Sequence, residues 1–385
     1  MNKVFLSRCQ EYDHGSMKKI IAAGMAGAGF NPRDFSGKRV ALKPNLLMPA
    51  RPEKAIVTHP AFVGAVAEIV SENGGTPVII ESPAMTALES TMRKSDYSEM
   101  LAKQGIEVAD VSEAKVLFHE GSRRYKRFEI SKALFDVDII INLPKFKTHG
   151  ITYITGAVKN LFGTIPGLDK SRWHMKASTP SDFSEFLLDL NEALLHGFEK
   201  RKRILHVMDA IITQEKDGPG PSGTPKKIGA IIIGESPVAV DYVAVRVAGL
   251  DVEKVTTVTG GFQRDLGVRS PEEIEVMGTP IDDVMVDDFI PTGHSFLTSF
   301  GARWPANTAF FKNMFTEKPV PVEGECTLCY QCKKICPAGA IGDSAGKGKV
   351  PVYDYQKCIR CYCCKEICPQ AAITLKRGPL QFVLG

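Results

Sequence analysis

The sequence predicts an α/β domain with a mostly parallel sheet and flanking helices, followed by a small α+β module rich in cysteine. Three observations carry this expectation. Short Val- and Ile-rich runs alternate with longer amphipathic stretches up to about residue 290. Those runs are apolar throughout, the texture of strands covered on both faces. Nine of the ten cysteines fall in two phrases near the C-terminus, eight of them at matching positions. A chain of 385 residues is too long for one ordinary core, so several domains are expected. They divide as 1–290, the α/β domain; 291–320, an aromatic- and proline-rich connector packing onto it; and 321–385, the cysteine module.

The elements follow in order. "MKKIIAAGMAGAGF" from Met17 has the basic and apolar parts of a signal peptide, but polar residues precede it and its apolar run is short, so a core helix is expected. The runs "KRVALKPNLL", "TPVIIES", "DVDIIINLPK", "RILHVMDAII" and "IGAIIIG" read as buried parallel strands. "HPAFVGAVAEIVSENGG" reads as a helix stopped by Gly74–Gly75. "SDFSEFLLDLNEALLHGF" is an amphipathic helix with Ser181 or Asp182 as its cap, and "SPVAVDYVAVRVAGLD" opens with a Ser236 cap and a first-turn proline. Alternating strands and helices give the α/β class. Net charge is only +4, and the basic clusters Arg123–Arg127 and Lys200–Arg203 are short, which argues against a nucleic-acid partner. No apolar stretch has the length of a transmembrane segment. Thiols held for metal suit a reducing compartment, so a cytoplasmic location is expected.

The cysteine phrases repeat at an offset of 32 residues. Cys326, Cys329, Cys332 and Cys336 align with Cys358, Cys361, Cys364 and Cys368, each run ending in a proline. C-x-x-C-x-x-C-x-x-x-C-P is the bacterial iron–sulfur run, whose fourth cysteine ligates the other cluster. Two [4Fe-4S] clusters are therefore expected, one on Cys326, Cys329, Cys332 and Cys368, the other on Cys358, Cys361, Cys364 and Cys336. A zinc ribbon explains a single C-x-x-C but not this doubled run. Ile341 and Ile373 suit a small core beneath the clusters. Cys363 aligns with Gln331 and has no ligand role by symmetry; Cys9 reads as a core thiol. The module closely resembles bacterial two-[4Fe-4S] ferredoxins at all eight ligand positions. It departs at Tyr330 and Tyr362, where glycine is common in that family. The resemblance implies electron transfer.

Ligands in open α/β sheets sit beyond the carboxyl ends of strands. The residues following the apolar runs are Lys43 and Asn45; Glu81, Ser82 and Pro83; Lys145, Lys147 and His149; and Asp209. "YITGAVKNLFG" adds Lys159 and Asn160. Such a rim suits an anionic small molecule, with Lys145, Lys147, His149, Lys159 and Asp209 as candidates for chemistry and Lys43, Asn45 and Asn160 for binding. His149 is a candidate for proton transfer near neutral pH. No complete dinucleotide fingerprint, P-loop or G-x-S-x-G motif is present.

"LKPNLL", "INLPKFKTHGITYITGAVKNLFG", "VMDAI" and "SPVAVDYVAVRVAGLD" resemble the family called domain of unknown function 362, over roughly residues 1–290. The resemblance implies an α/β fold associated with iron–sulfur modules, and no settled reaction. The series His149, Lys159, Pro166–Gly167 is loosely similar to a segment of lactate racemase-like proteins, from which no nickel cofactor is carried over. The leading expectation is an iron–sulfur electron-transfer protein, either a ferredoxin-type oxidoreductase or an electron-delivery subunit, acting on an anionic small molecule or a redox partner protein. The competing classes are a non-redox isomerase- or racemase-like enzyme and a cluster or metal assembly protein, each with a structural iron–sulfur tail.

Overall fold

The computed structural model describes residues 2–293, 309–346 and 349–380. Most of the aromatic connector, 294–308, lies outside the described residues, and so does the expectation that it packs onto the main domain.

One ten-stranded sheet organises the large domain. Its strands are β1 (Asn2–Arg8), β2 (Arg39–Pro44), β3 (Thr76–Ile79), β4 (Glu107–Val108), β5 (Ile139–Leu143), β6 (Lys145–His149), β7 (Tyr153–Thr155), β8 (Arg203–Lys216), β9 (Gly223–Gly234) and β10 (Ile274–Gly278). The spatial order is β10-β1-β9-β8-β5-β2-β3-β4, and β6 runs beside β8 with β7 on its other side. Pairing is parallel from β8 through β4 and between β1 and β10. "IGAIIIG" is the exception to the sequence reading: β9 is antiparallel to both neighbours. A short connection after β8 forms a hairpin, which only antiparallel strands permit.

The strands alternate between two cores, which is why they read as unbroken apolar runs. Ala41, Ile140, Met208 and Ile232 join one core; Val40, Leu42, Ile139, Ile141, Val207 and Ile233 join the other. Helices His14–Gly27 and Pro60–Glu72 cover the second face, and Pro180–His196 and Pro237–Val247 the first. Asp13 caps the first helix by accepting from Ser16 N–H, which confirms a core helix at Met17. Ser236 caps its helix as expected. The cap of Pro180–His196 is Thr179, accepting from Asp182 N–H, rather than Ser181 or Asp182. Pro180 fills the first turn, where its missing N–H costs nothing, and so the cap lies two residues upstream of Ser181.

The small module is built as two halves. Helix Gln331–Ile335 and strand Ile341–Ser344 match helix Cys363–Glu366 and strand Ile373–Lys376 at the 32-residue offset of the cysteine runs. Lys318–Pro321 pairs with Ile373–Lys376, so the module's strands begin within the stretch read as connector. Ile341 and Ile373 are buried together with Cys364, as expected. Among the described residues no helix is long and apolar enough to cross a membrane.

Asp189 fastens the first-face helices to the hairpin Ala114–Phe118/Arg127–Ser131. It is fully buried and accepts N–H bonds from Arg123, Arg124 and Tyr125 at 3.0, 3.1 and 2.8 Å. Arg264 Nη2 pairs with it at 2.5 Å. Asp189→Ala would leave three N–H groups without their acceptor and the buried Arg264 guanidinium with Glu185 alone, and is expected to destabilise the fold by about 3–5 kcal/mol, measured by chemical denaturation.

Candidate functional site

The chain runs outward from β2 through β3 to β4, then returns to β5 on the other side of β2. That reversal places a crevice beyond the carboxyl ends of β2 and β5. Lys43 and Asn142 are neighbours across the two strands. Three asparagines close the crevice floor. Asn160 Nδ2 donates to Asn142 Oδ1 at 2.8 Å and to the Lys43 carbonyl at 3.2 Å, while its Oδ1 accepts from Asn45 Nδ2 at 2.9 Å. Asn142 Nδ2 in turn reaches the Ala157 carbonyl and His206 Nδ1, each at 2.9 Å.

The expected rim separates into two groups. Lys145 is buried against Asp209, Nζ to Oδ2 2.8 Å, and both also bond the Tyr12 hydroxyl. Asp209 Oδ2 further accepts from His59 N–H at 3.1 Å. Lys147 is buried with no carboxylate partner; it donates to Asn45 Oδ1 at 2.6 Å and to the Ile56 carbonyl at 2.8 Å. Burial, and then the charges of Lys159 and Lys145, push its pKa well below the usual lysine range. Lys43 pairs with Glu81 at 2.5 Å, both buried. Gly163 lies on that pair: a Cβ there would stand 2.5 Å from Glu81 Oε1 and 2.6 Å from Lys43 Nζ. Lys43, Lys145, Lys147 and Asp209 are thus consumed in interior pairing.

Asn45, Lys159 and Asn160 do line a cavity of about 770 Å³, joined by Glu81, Ser82, Thr155, Lys170 and His174. Its remaining wall comes from the small module, as Ile335, Cys363, Glu366 and Ile367. The equivalent isoleucines of the two halves, Ile335 and Ile367, enter the second-face core together with Cys363. Each burial contributes about 1.5–3 kcal/mol for an isoleucine, so the roof is packed rather than merely apposed. Polar contacts add to it. Lys365 Nζ reaches Asp217 at 3.3 Å to its carbonyl and 3.4 Å to its carboxylate.

His149 Nε2 stands 3.2 Å from Glu366 Oε1, close enough for charge attraction, though the approach lacks hydrogen-bond geometry. Nδ1 accepts from the N–H groups of Ile151 and Thr152 at 3.0 and 3.2 Å, which places the neutral ring's proton on Nε2, facing that carboxylate. Burial, then Lys159, lowers the His149 pKa to about 4, which favours the neutral ring near pH 7. Burial alone would raise Glu366, but His149 and then Lys159 hold it down at about 2. Sequence reasoning missed His174, Thr155, Lys170 and Glu366. Only Thr155 lies in a recognisable motif; Glu366 sits in the second cysteine run, which drew attention for its thiols alone.

The cysteines form two crossed constellations. Cys326, Cys329, Cys332 and Cys368 line one cavity of about 380 Å³ with Tyr330 and Tyr353. Cys368 neighbours Cys329 and Cys326, whereas Cys336 neighbours Cys361 and Cys358. All ten cysteines are free thiols. No three His, Cys, Asp or Glu side chains among the described residues converge on a single-ion site. The repeat extends to the backbone. Leu328 and Tyr330 have φ of 55° and 56°, and Arg360 and Tyr362 have 64° and 57°. Tyr330 and Tyr362 therefore take the left-handed turn for which glycine is the ordinary choice.

Fold and crevice define an α/β protein whose ligand cavity is roofed by a two-fold cysteine module. The chain belongs to the family described as Domain of unknown function (DUF362), which matches residues 40–246; the cysteine module lies outside that match. It is 31% identical over 272 residues to the thylakoid-associated protein sll1697 of Synechocystis sp., covering 70% of this chain and 80% of that one. Two solved structures share 12% identity: a Thermotoga maritima protein, TM-score 0.38 over 57% of this chain, and the lactate racemase apoprotein of Thermoanaerobacterium thermosaccharolyticum, TM-score 0.37 over 63%. The chain spans 55% and 57% of their lengths.

Gly220 sets how closely the roof approaches. Its φ is +108°, and a Cβ would stand 2.4 Å from the Glu366 carbonyl oxygen. Gly220→Ala is expected to lift the module and to raise amide hydrogen exchange in helices Gln331–Ile335 and Cys363–Glu366 relative to the parent. His206 supplies a pH test. Burial lowers its pKa to about 3, below the ordinary 6.5 or so. As pH falls through 6.5 the unfolded chain takes up this proton first, so stability drops, at up to about 1.4 kcal/mol per pH unit. His206→Gln should flatten the stability profile by about that slope between roughly pH 6 and 4.5, read by denaturation at several pH values.

Proposed function

We propose that this chain is an iron–sulfur electron-transfer protein, in which the module holds two [4Fe-4S] clusters and the roofed cavity takes an anionic small molecule or an anionic group of a partner. The carrying observation is the one-turn helix Cys363–Glu366. It presents Cys364 to a cysteine constellation while Cys363 and Glu366 form part of the ligand cavity wall.

The residues present fit the group. Four thiols drawn from both runs line one cavity, and no three such side chains among the described residues converge on a single-ion site, an arrangement that suits a polynuclear cluster better than one tetrahedral zinc. Left-handed residues recur at matching positions of both runs, the backbone ingredient of the N–H concavities that serve iron–sulfur sites and other anions. Tyr330 and Tyr362 shield the two runs, and Tyr362 is nearly fully buried. Bound [4Fe-4S] clusters supply one-electron transfer. The chain's own groups would do the rest. Lys159 draws an anion into the cavity, Asn45 and Asn160 fix its floor, and Ile335 and Ile367 keep water from the side nearest the cysteines. Ten free thiols suit a reducing compartment such as the cytoplasm.

The packing of Ile335, Cys363 and Ile367 into the large core also favours a second reading, a non-redox enzyme with the module as a structural roof. Anaerobic iron and sulfide analysis with redox-titrated electron paramagnetic resonance separates the two. About eight iron and eight sulfide per chain with reversible signals supports electron transfer. Clusters that do not reduce reversibly would leave the structural role. Crossed ligation is tested by substitution: Cys336→Ser and Cys358→Ser should remove the same signal, and Cys368→Ser and Cys326→Ser the other. Loss of one signal by both Cys326→Ser and Cys336→Ser would show that each run ligates locally.

A further inference from the structure

Three polar side chains line the roofed cavity with no hydrogen-bond partner among the described residues. Lys159 makes no hydrogen bond or ion pair with any described residue, and its ammonium lies 6.0 Å from the centroid of Phe162. Thr155 Oγ1 is buried without a hydrogen-bond partner. The His174 ring stacks on Phe183 at 4.4 Å and meets the edge of Phe162 at 5.9 Å, and neither nitrogen bonds a described residue. Every other charged group lining the cavity is engaged. Glu81 pairs with Lys43, Lys170 Nζ donates to the carbonyls of Ser82 and Ile165, and Glu366 faces His149. Lys159 is thus the one uncommitted cation among the described lining residues.

The chemistry of this set is selective. A carboxylate carries one charge and accepts at two oxygens, which an ammonium, a hydroxyl and an imidazole N–H can satisfy as donors. A phosphate brings more charge and a third oxygen, and is met by guanidinium forks or clustered N–H groups. No arginine lines the cavity among the described residues, and Glu366 and Glu81 would repel a second negative charge. Leu46, Leu47, Phe162, Ile335 and Ile367 supply apolar wall, and the remaining polar lining, Asn45, Asn160, Ser82 and Ser171, is already hydrogen-bonded. The cavity, open in part to solvent, has space between these walls for the body of a small organic molecule.

We infer that the cavity binds an organic monocarboxylate, its carboxylate on Lys159, Thr155 and His174 and its apolar body against Leu47, Phe162, Ile335 and Ile367. This deepens the proposed function and rests on it in that the docked module supplies two of those apolar contacts.

Calorimetric titration of the full chain, prepared anaerobically, tests it with octanoate as probe beside 1-octanol, succinate and inorganic phosphate. Octanoate is expected to bind, and the other three to bind at least about tenfold more weakly. Lys159→Met should weaken octanoate about tenfold or more, Lys159→Arg should recover part of that loss, and Thr155→Val should weaken it by a smaller factor. Iron content and circular dichroism equal to the parent's show that the variants fold. Absence of octanoate binding, tighter binding of phosphate or succinate, or an unchanged affinity in folded Lys159→Met and Thr155→Val overturns the assignment. Should Lys159→Met not fold, Thr155→Val and the probe series decide alone. Octanoate binding without reversibly reducible iron would sink electron transfer and leave the ligand class standing; reducible iron without octanoate binding would do the reverse.

Discussion

The side-chain amide of Asn160 holds the crevice together. Its NH₂ group reaches Lys43 on β2 and Asn142 on β5, and its oxygen takes the amide of Asn45. The backbone ladder pairs β2 with β5 as far as Pro44 and Leu143, and beyond those residues the chain leaves the two strands separately. Asn160 ties the strand ends to the loop after β2 from a short helix arriving after β7. Asn45 passes the constraint to Lys147, whose amine completes a chain of four side chains across the floor. Each link is buried or partly buried, so an unmet group would cost more than the bond itself contributes. The ligand cavity has a rigid floor because its polar groups have one consistent way to pair.

Burying so many lysines is possible because each finds a different solution. Lys43 and Lys145 take carboxylates, Lys170 takes two carbonyls, and Lys147 takes an amide and a carbonyl. Lys159 alone faces the cavity without a partner. Burial lowers its pKa, while Glu366 and Cys363 of the roof act the other way. The roof therefore helps to keep that cation charged, and the small module bears on the electrostatics of the crevice as well as on its shape.

The sheet was legible because strands covered on both faces leave no polar alternation, and the cysteine repeat because ligand spacing is written directly in the chain. The crevice residues were legible as a group and not as individuals. Lys145, Lys147 and His149 occupy alternate positions of β6, one face of a strand, yet they meet Asp209, Asn45 and Glu366 respectively. Those partners lie 64, 102 and 217 residues away, distances over which spacing carries no information. His174 sits in no motif, and its place in the cavity follows only from how helix Asp169–Lys176 packs. The antiparallel course of β9 escaped notice because a strand buried on both faces reads alike in either direction. The tyrosines after each second cysteine looked like a departure from pattern; the backbone shows that the turn was retained and only the side chain changed.

The two halves of the module repeat in sequence and backbone, but their surroundings break the symmetry. Cys329 of one constellation is exposed, while Cys361 of the other packs against the second-face core together with Cys363, which lines the roofed cavity. A duplicated unit docked by one edge thus acquires an outer terminal and an inner one. In an electron-transfer role this gives the molecule polarity: a large carrier can approach only the outer terminal, and a small ligand only the inner. Traffic between solvent and crevice would then run in series through both halves, so neither copy of the repeat could stand in for the other.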